Sequence, residues 1–256
     1  MVSPGLDREL RLAHELADLA DALTLPAFHD VIEVETKADG TAVTATDRGV
    51  ERRLRARIRE VFPRHAVLGE EDGHDGPEDA PTWIIDPIDA TANFVRGNPV
   101  FATLIALRLD GVEMLGVVSA PALGSRWDGV VGVGATQDGR AIHVSAVAEL
   151  ADAEISFGGL SHFDAAGTLD AVARAATATR RQRGFGDFWQ HCLVAAGAVD
   201  VAMEAEVSTW DLAAVKPIVE AAGGRFTDLA GVATTDGGNA VSSNGHLHDA
   251  ALALLR

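Results

Sequence analysis

The chain has 256 residues, 47% hydrophobic and 23% charged, with a formal net charge of −17. That length admits one large domain or two tightly joined halves, and the balance is that of an ordinary soluble globular protein. The negative charge argues against a nucleic-acid partner, the apolar runs are too short to span a bilayer, and the single Cys192 excludes an intramolecular disulfide and any Cys-based zinc site.

The opening MVSPGLDRELR lacks the apolar core of a signal peptide, which makes the cytoplasm the expected location. Leu12, Leu16, Leu19 and Leu23 recur at helical spacing and predict an amphipathic helix over 5–24, which Pro26 helps to end. Residues 31–36 alternate with Val and Ile and read as extended. Val50, Leu54, Ile58 and Val61 mark a second helix over 46–61, with Arg and Glu on its outer face and Pro63 as its stop. A short strand over 66–69 leads into Glu70-Glu71, and another over 83–86 leads into DPIDATANF. Residues 101–108 and 112–118 predict a buried hairpin turning at Asp110-Gly111. The following GVVGVGATQDGR lacks dinucleotide-fingerprint spacing and reads as strand and turn with a second DG hairpin. The second half begins near 140. It predicts a strand over 153–158, a helix around 164–177, and a helix from Gly186-Asp187 to about 198. A strand over 199–203 precedes a helix opened by Trp210-Asp211 and ended at Gly223-Gly224. Pro217 inside that helix kinks it or frees a carbonyl. A strand, a turn and a short helix finish the chain. Strands interleaved with helices and hairpins predict a layered α/β protein.

The most informative stretch is WIIDPIDATANF, residues 83–94. Asp86 and Asp89 stand three apart around a proline in an otherwise apolar setting. Carboxylates that close repel each other unless something positive sits between them. A hard divalent cation such as Mg²⁺ meets that need, since it prefers carboxylate and phosphate oxygens. Glu70 and Asp211 also fall at predicted strand ends or helix starts, Asp211 with a helix cap as its alternative reading. A chain this acidic repels a phosphate ester, so bound cations would have to overcome its field. Cys192 reads as a buried small side chain. His246 and His248 read as part of a solvated turn, and none of the nine histidines has zinc-motif spacing.

Three blocks resemble the inositol monophosphatase superfamily of metal-dependent, lithium-sensitive phosphatases: Gly69-Glu70-Glu71, Asp86-Pro87-Ile88-Asp89-Ala90-Thr91-Ala92-Asn93-Phe94, and Trp210-Asp211-Leu212-Ala213-Ala214. The resemblance implies an αβαβα sandwich in two packed parts, about 1–139 and 140–256. It implies two or three Mg²⁺ ions ligated by Glu70, Asp86, Asp89, Asp211 and the carbonyl of Ile88, with Asp47 near a weaker metal position. Glu70 and Thr91 would orient a water and take its proton, with Asp89 also in the catalytic set. The N–H groups of Ala90 and Thr91 would hold phosphate oxygens. A homodimer is implied as well. One departure stands out: the family usually has Gly where this chain has Ala90, and a positive φ there would strain alanine by about 1–2 kcal/mol. The usual Lys two residues later is Ala92.

Longer segments, among them Asn93 to Leu107, Val118 to Gly124, Gly186 to Trp189 and Ser243 to Gly245, are similar to the actinobacterial-type histidinol-phosphate phosphatase branch. This implies hydrolysis of L-histidinol phosphate in histidine biosynthesis. Asp187 and Glu204 would attract the ammonium and imidazole of histidinol, with Arg183 and Asn244 as further substrate contacts. The rival readings are an inositol-phosphate, sugar-phosphate or nucleotide 3′-phosphate phosphatase, and a non-catalytic metal- and phosphate-binding protein degenerate through Ala90.

Overall fold

The computed structural model describes residues 5–28, 34–36 and 42–255. Helix α1 (Asp7–Phe28) is followed by the paired strands β1 (Val34–Thr36) and β2 (Ala42–Thr44), then helix α2 (Ala45–Val61). Residues 31–33 of the predicted extended stretch lie outside the described residues. Helix α1 does not stop at Pro26 but continues to Phe28, whose ring packs on Phe101 at 4.9 Å and Phe94 at 5.9 Å. That packing holds the last turn despite the proline's missing N–H.

Next come β3 (Ala66–Gly69), β4 (Gly73–Asp75), β5 (Thr82–Asp89), α3 (Thr91–Val95), β6 (Ala102–Leu109), β7 (Val112–Ala120), β8 (Ser125–Val130), β9 (Gly134–Gln137) and β10 (Arg140–Ile142). They form an eight-stranded sheet in the order β10-β9-β8-β7-β6-β5-β3-β4, in which only β3 and β5 run parallel. Both DG hairpins form as expected, with Asp110 and Asp138 at positive φ beside their glycines.

The rest of the chain supplies β11 (Glu154–Phe157), α4 (Leu160–Ala165), α5 (Leu169–Ala178), β12 (Arg181–Arg183), α6 (Asp187–Ala195), β13 (Val201–Glu204), α7 (Thr209–Ala213), α8 (Val215–Ala221), β14 (Arg225–Thr227), β15 (Ala240–Ser243) and α9 (His248–Leu254). Its strands form a five-stranded sheet in the order β12-β11-β13-β15-β14. The single helix predicted around 164–177 is two helices, α4 and α5, separated around Gly167 at φ 69°. The helix predicted from Trp210 likewise divides, at Ala214, as the proline three residues on requires. The Ala214 carbonyl lies flat on β7, where a Cβ on Gly116 would come within 2.0 Å of its oxygen. Only glycine permits that approach.

Side-chain alternation along the strands builds the layers. Trp83, Ile85, Ile105, Leu107, Leu115 and Val117 face α1 and α2. Ile84, Leu104, Ala106 and Val118 face the opposite way, into a core shared with α6, α7, α8 and one face of the second sheet. The other face of that sheet packs under α4, α5 and α9. The stack is therefore α, β, α, β, α, the expected sandwich. Each large aliphatic side chain so buried contributes about 1.5–3 kcal/mol. The two parts share one central core, because α6, α7 and α8 belong to the second half by sequence yet cover the first sheet.

Candidate active site

The parallel pair β3 and β5 places the Glu70 end of one strand beside the DPID end of the other, with Gly69 opposite Ile85. The β5–β6 ladder shifts register between Asp86 and Asp89, as a proline within a strand requires. Thr103 Oγ1 donates to the Pro87 carbonyl at 2.8 Å, and the Ile88 N–H donates to Asp86 Oδ1 at 2.9 Å. The bulge is thus satisfied locally, and both aspartates emerge on the side of α6 and α7.

Two capping boxes aim two further acids. Asp47 is the third residue of α2, and its Oδ2 accepts the Thr44 N–H at 2.8 Å, which leaves Oδ1 towards Thr91 Oγ1 at 3.4 Å. Asp211 is the third residue of α7, and its Oδ2 accepts the Ser208 N–H at 2.7 Å. The cap reading of Asp211 therefore holds, and the cap leaves its other carboxylate oxygen available to the site. One carboxylate oxygen each from Asp86, Asp89 and Asp211 lies within 4.8 Å of the others. Asp89 Oδ2 also accepts the Phe188 N–H at 2.8 Å, which ties the motif strand to the start of α6 in the second half.

The electrostatics record the crowding. Burial raises the carboxyls of Asp86 and Asp89 well above their usual range, followed for Asp86 by the charge of Glu70 and for Asp89 by that of Asp187. Burial raises Asp211 to about 6. Among the described residues, no Lys or Arg lines the adjoining cleft of about 620 Å³, whose walls include Asp89, Asp187, Glu204, Glu206 and Asp211. Buried carboxylates without a cation are costly. An all-oxygen donor set at this spacing fits a hard divalent ion such as Mg²⁺, so the residues present suit the metal their motifs imply.

Ala90 sits at φ 63°, ψ 46°, the left-handed region, as the N-cap of α3. The condition attached to its strain is met. Thr91 Oγ1 donates to the Ile88 carbonyl at 2.9 Å, which fixes the hydroxyl beside Asp47.

On the opposite wall, Asp187 opens α6 at φ 49°, and Glu204 ends β13. Gln190 donates to Glu204 Oε1, and burial raises the Glu204 carboxyl to about 8. The backbone passes so close to Glu204 at Gly158 that a Cβ there would lie 1.7 Å from Oε2.

The other two expected substrate contacts stand apart. Arg183 is exposed on the edge strand β12 and donates to its neighbour's carbonyl. It is not among the residues that line the cleft. Asn244 is buried, its amide committed to Ser145 Oγ at 2.9 Å and the Val147 carbonyl at 2.8 Å. That engagement makes it a brace for the turn into α9, and it is not among the residues that line the cleft.

His162 and His191 line the cleft and were not expected there. The signal available for His162 was the Gly158-Gly159 pair, which brings the backbone close to the cleft. His191 Nδ1 lies 2.7 Å from Ser242 Oγ, and burial lowers the ring to about 3, so it is neutral. His248, read as part of a solvated turn, is buried with both ring nitrogens bonded, to Ser243 and Thr227. Cys192 is buried as expected.

A mixed α/β sandwich with acids gathered at one sheet edge defines a metal-dependent phosphatase architecture, and the chain belongs to the inositol monophosphatase family, whose model matches residues 6–256. It is a phosphoric monoester hydrolase. Among its relatives, the histidinol-phosphatase of Mycobacterium tuberculosis (strain ATCC 25618 / H37Rv) is 48% identical over 253 residues, covering 96% of this chain and 97% of that protein. The histidinol-phosphatase of Streptomyces coelicolor (strain ATCC BAA-471 / A3(2) / M145) is 44% identical over 257 residues, covering 96% of each. Among solved structures, an IMPase/NADP phosphatase complexed with Mg²⁺ and phosphate superposes with a TM-score of 0.84 at 25% identity, covering 99% of this chain and 97% of that one.

Proposed function

We propose that this enzyme hydrolyses L-histidinol phosphate to L-histidinol and phosphate, within histidine biosynthesis in the cytoplasm. The observation that carries the choice of ester is the wall opposite the motif strand. Asp187, Glu204 and Glu206 line it, with no balancing Lys or Arg among the described residues. Such a wall suits an alcohol with an ammonium and a cationic imidazole, and it gives a neutral polyol no comparable attraction. The two histidinol-phosphatase relatives support the same reading.

Glu70, Asp86, Asp89, Asp211 and the Ile88 carbonyl would hold two or three Mg²⁺ ions, with Asp47 near the weakest. Bound there, Mg²⁺ supplies Lewis-acid polarisation of the phosphoryl group and of the attacking water. The chain's own groups do the rest. Glu70 and the Thr91 hydroxyl orient the water and take up its proton, the hydroxyl held by Ile88 and Asp47. The N–H groups of Ala90 and Thr91 receive phosphate oxygens. Asp187 and Glu204 hold the leaving alcohol in line by its charge. Two copies of the chain form the working unit, an expectation that sedimentation velocity tests directly.

The deciding experiment is a panel of Mg²⁺-dependent phosphate release on histidinol phosphate, inositol 1-phosphate, a sugar phosphate and a nucleotide 3′-phosphate. Histidinol phosphate is expected to give the highest kcat/KM. A polyol ester better by orders of magnitude defeats the assignment of substrate. Metal binding with no turnover of any ester defeats the assignment of an enzyme.

A further inference from the structure

Helix α2 carries a second acid-bearing stripe that the hydrolytic reading leaves unused. Asp47, Glu51 and Arg55 are spaced four apart, so they lie on one face. The apolar pattern of the helix puts Glu51 and Arg55 outside the Leu54–Ile58 stripe and predicts them on its outer face. Instead they are 0% and 4% exposed. They form a buried ion pair, Arg55 Nε donating to Glu51 Oε1 at 2.8 Å.

Among the described residues, the pair's other hydrogen bonds go to the backbone of the β3–β4 hairpin that carries Glu70. Glu51 Oε2 accepts the Glu71 N–H at 2.8 Å, and Oε1 accepts the Asp72 N–H at 2.9 Å. Arg55 Nη1 donates to the Val67 carbonyl at 3.3 Å, and Nη2 donates to the Gly73 carbonyl. At Gly69 a Cβ would lie 2.3 Å from Glu51 Oε1, so that position has no room for a side chain. Four backbone groups that flank Glu70 on both sides are therefore held by one ion pair from α2. The charge of Glu70 acts on Asp86 and Asp211 of the carboxylate cluster and on Asp47 beside it.

Stability alone is a poor reason for such a pair. Desolvating two ions costs several kcal/mol each, and a well-packed apolar pair of similar volume commonly serves as well or better. An apolar pair cannot hold two N–H and two carbonyl groups in fixed directions.

We infer that Glu51 and Arg55 are positioning residues that fix the Glu70 turn for hydrolysis, in the way outer groups orient metal ligands and catalytic acids. The inference rests on the role proposed for Glu70.

The test compares Glu51→Gln and Arg55→Lys with Ile58→Val, a core change on the same helix away from the turn. Four quantities are measured: kcat and KM on histidinol phosphate, Mn²⁺ affinity by electron paramagnetic resonance, amide hydrogen exchange at residues 71 and 72, and the melting temperature. Glu51→Gln is expected to lower kcat by about 10- to 100-fold and Mn²⁺ affinity by about tenfold, with KM changed by no more than about twofold. Exchange at Glu71 and Asp72 should accelerate. Ile58→Val should lower only the melting temperature. A folded Glu51→Gln protein whose kcat and Mn²⁺ affinity match those of Ile58→Val overturns the inference. If Glu51→Gln does not fold, Arg55→Lys decides by the same criteria, since it keeps the charge and loses the two-pronged hold on Val67 and Gly73. If the unaltered protein releases no phosphate from any ester, the functional reading fails, while Mn²⁺ affinity and amide exchange still test the positioning.

Discussion

Two short stretches meet beside the cleft, the loop at Ala90 and the start of α6 at Asp187, tied together by the Phe188 N–H bond to Asp89. Each holds a non-glycine residue in the left-handed region, at φ 63° and φ 49°. The other such residues among those described, Asp110 and Asp138, occupy hairpin turns where the conformation is ordinary. Among the described residues, non-glycine backbone strain outside hairpins is thus found only beside one site, where strained residues tend to cluster. The two cases differ in what the strain retains. A methyl group at Ala90 does no chemistry, and what matters there is the path of the backbone and its N–H groups. At Asp187 the side chain is a carboxylate lining the cleft. One wall acts through its backbone and metal acids on any phosphate ester, and the other through side-chain charge on one class of alcohol.

The largest effect should come from the motif wall. Asp89→Asn removes a member of the carboxylate triad and weakens the acceptor of the Phe188 N–H. Phosphate release should fall by at least about 10³-fold, on the order of 4 kcal/mol, for every ester in the panel. A loss confined to histidinol phosphate would break the division between the walls.

Glu204→Gln, on the other wall, should separate the substrates. A bound cationic alcohol stabilises the ionised form of Glu204 against the protonated form that burial favours. The resulting charge-assisted contact of about 1.5–3 kcal/mol corresponds to roughly 10- to 100-fold in kcat/KM for histidinol phosphate. Esters with neutral alcohols should be changed little. Equal losses on both would remove Glu204 from substrate recognition.

The same substitution carries a pH signature in metal-free protein. The Glu204 carboxyl is raised by burial from 4.5 to about 8. The folded state therefore holds a proton between those values that the unfolded state has released. Its stabilising contribution is fully present below 4.5 and is lost as pH rises through about 8. Melting curves from pH 4 to 9 should show a decline for the native chain that is shallower in Glu204→Gln. Identical slopes would place the Glu204 carboxyl in its ordinary range.

Ala90→Gly should give the smallest effect. It relieves about 1–2 kcal/mol of left-handed strain and returns about 0.4–1 kcal/mol to the entropy of the unfolded chain. The net gain, between about 0 and 1.6 kcal/mol, is read as a rise of up to a few degrees in melting temperature, with turnover kept or raised. Asp187→Gly relieves the same kind of strain but should lose histidinol phosphate preference. Preference kept in that variant would mean that the Asp187 carboxylate is dispensable and the two walls are alike.

The sequence alone was enough for the layered α/β class, both DG hairpins and the acid-bearing strand ends. These follow from local rules: periodicity, turn chemistry, and acids that have no reason to sit in an apolar run. The DPID pair was legible because two carboxylates three apart have few neutral explanations, and Ala90 was legible as a question because its strain depends on one dihedral angle.

Tertiary structure decided the rest. It joined Asp86, Asp89 and Asp211 across 125 residues of chain, buried Glu51, Arg55 and His248 where pattern predicted exposure, and let α1 run past Pro26 under Phe28. It also took Asn244 away from the cleft and brought in His162 and His191. Each of these outcomes depends on which distant backbone groups and side chains arrive to satisfy a polar atom or fill a gap, and no window of neighbouring residues contains that information.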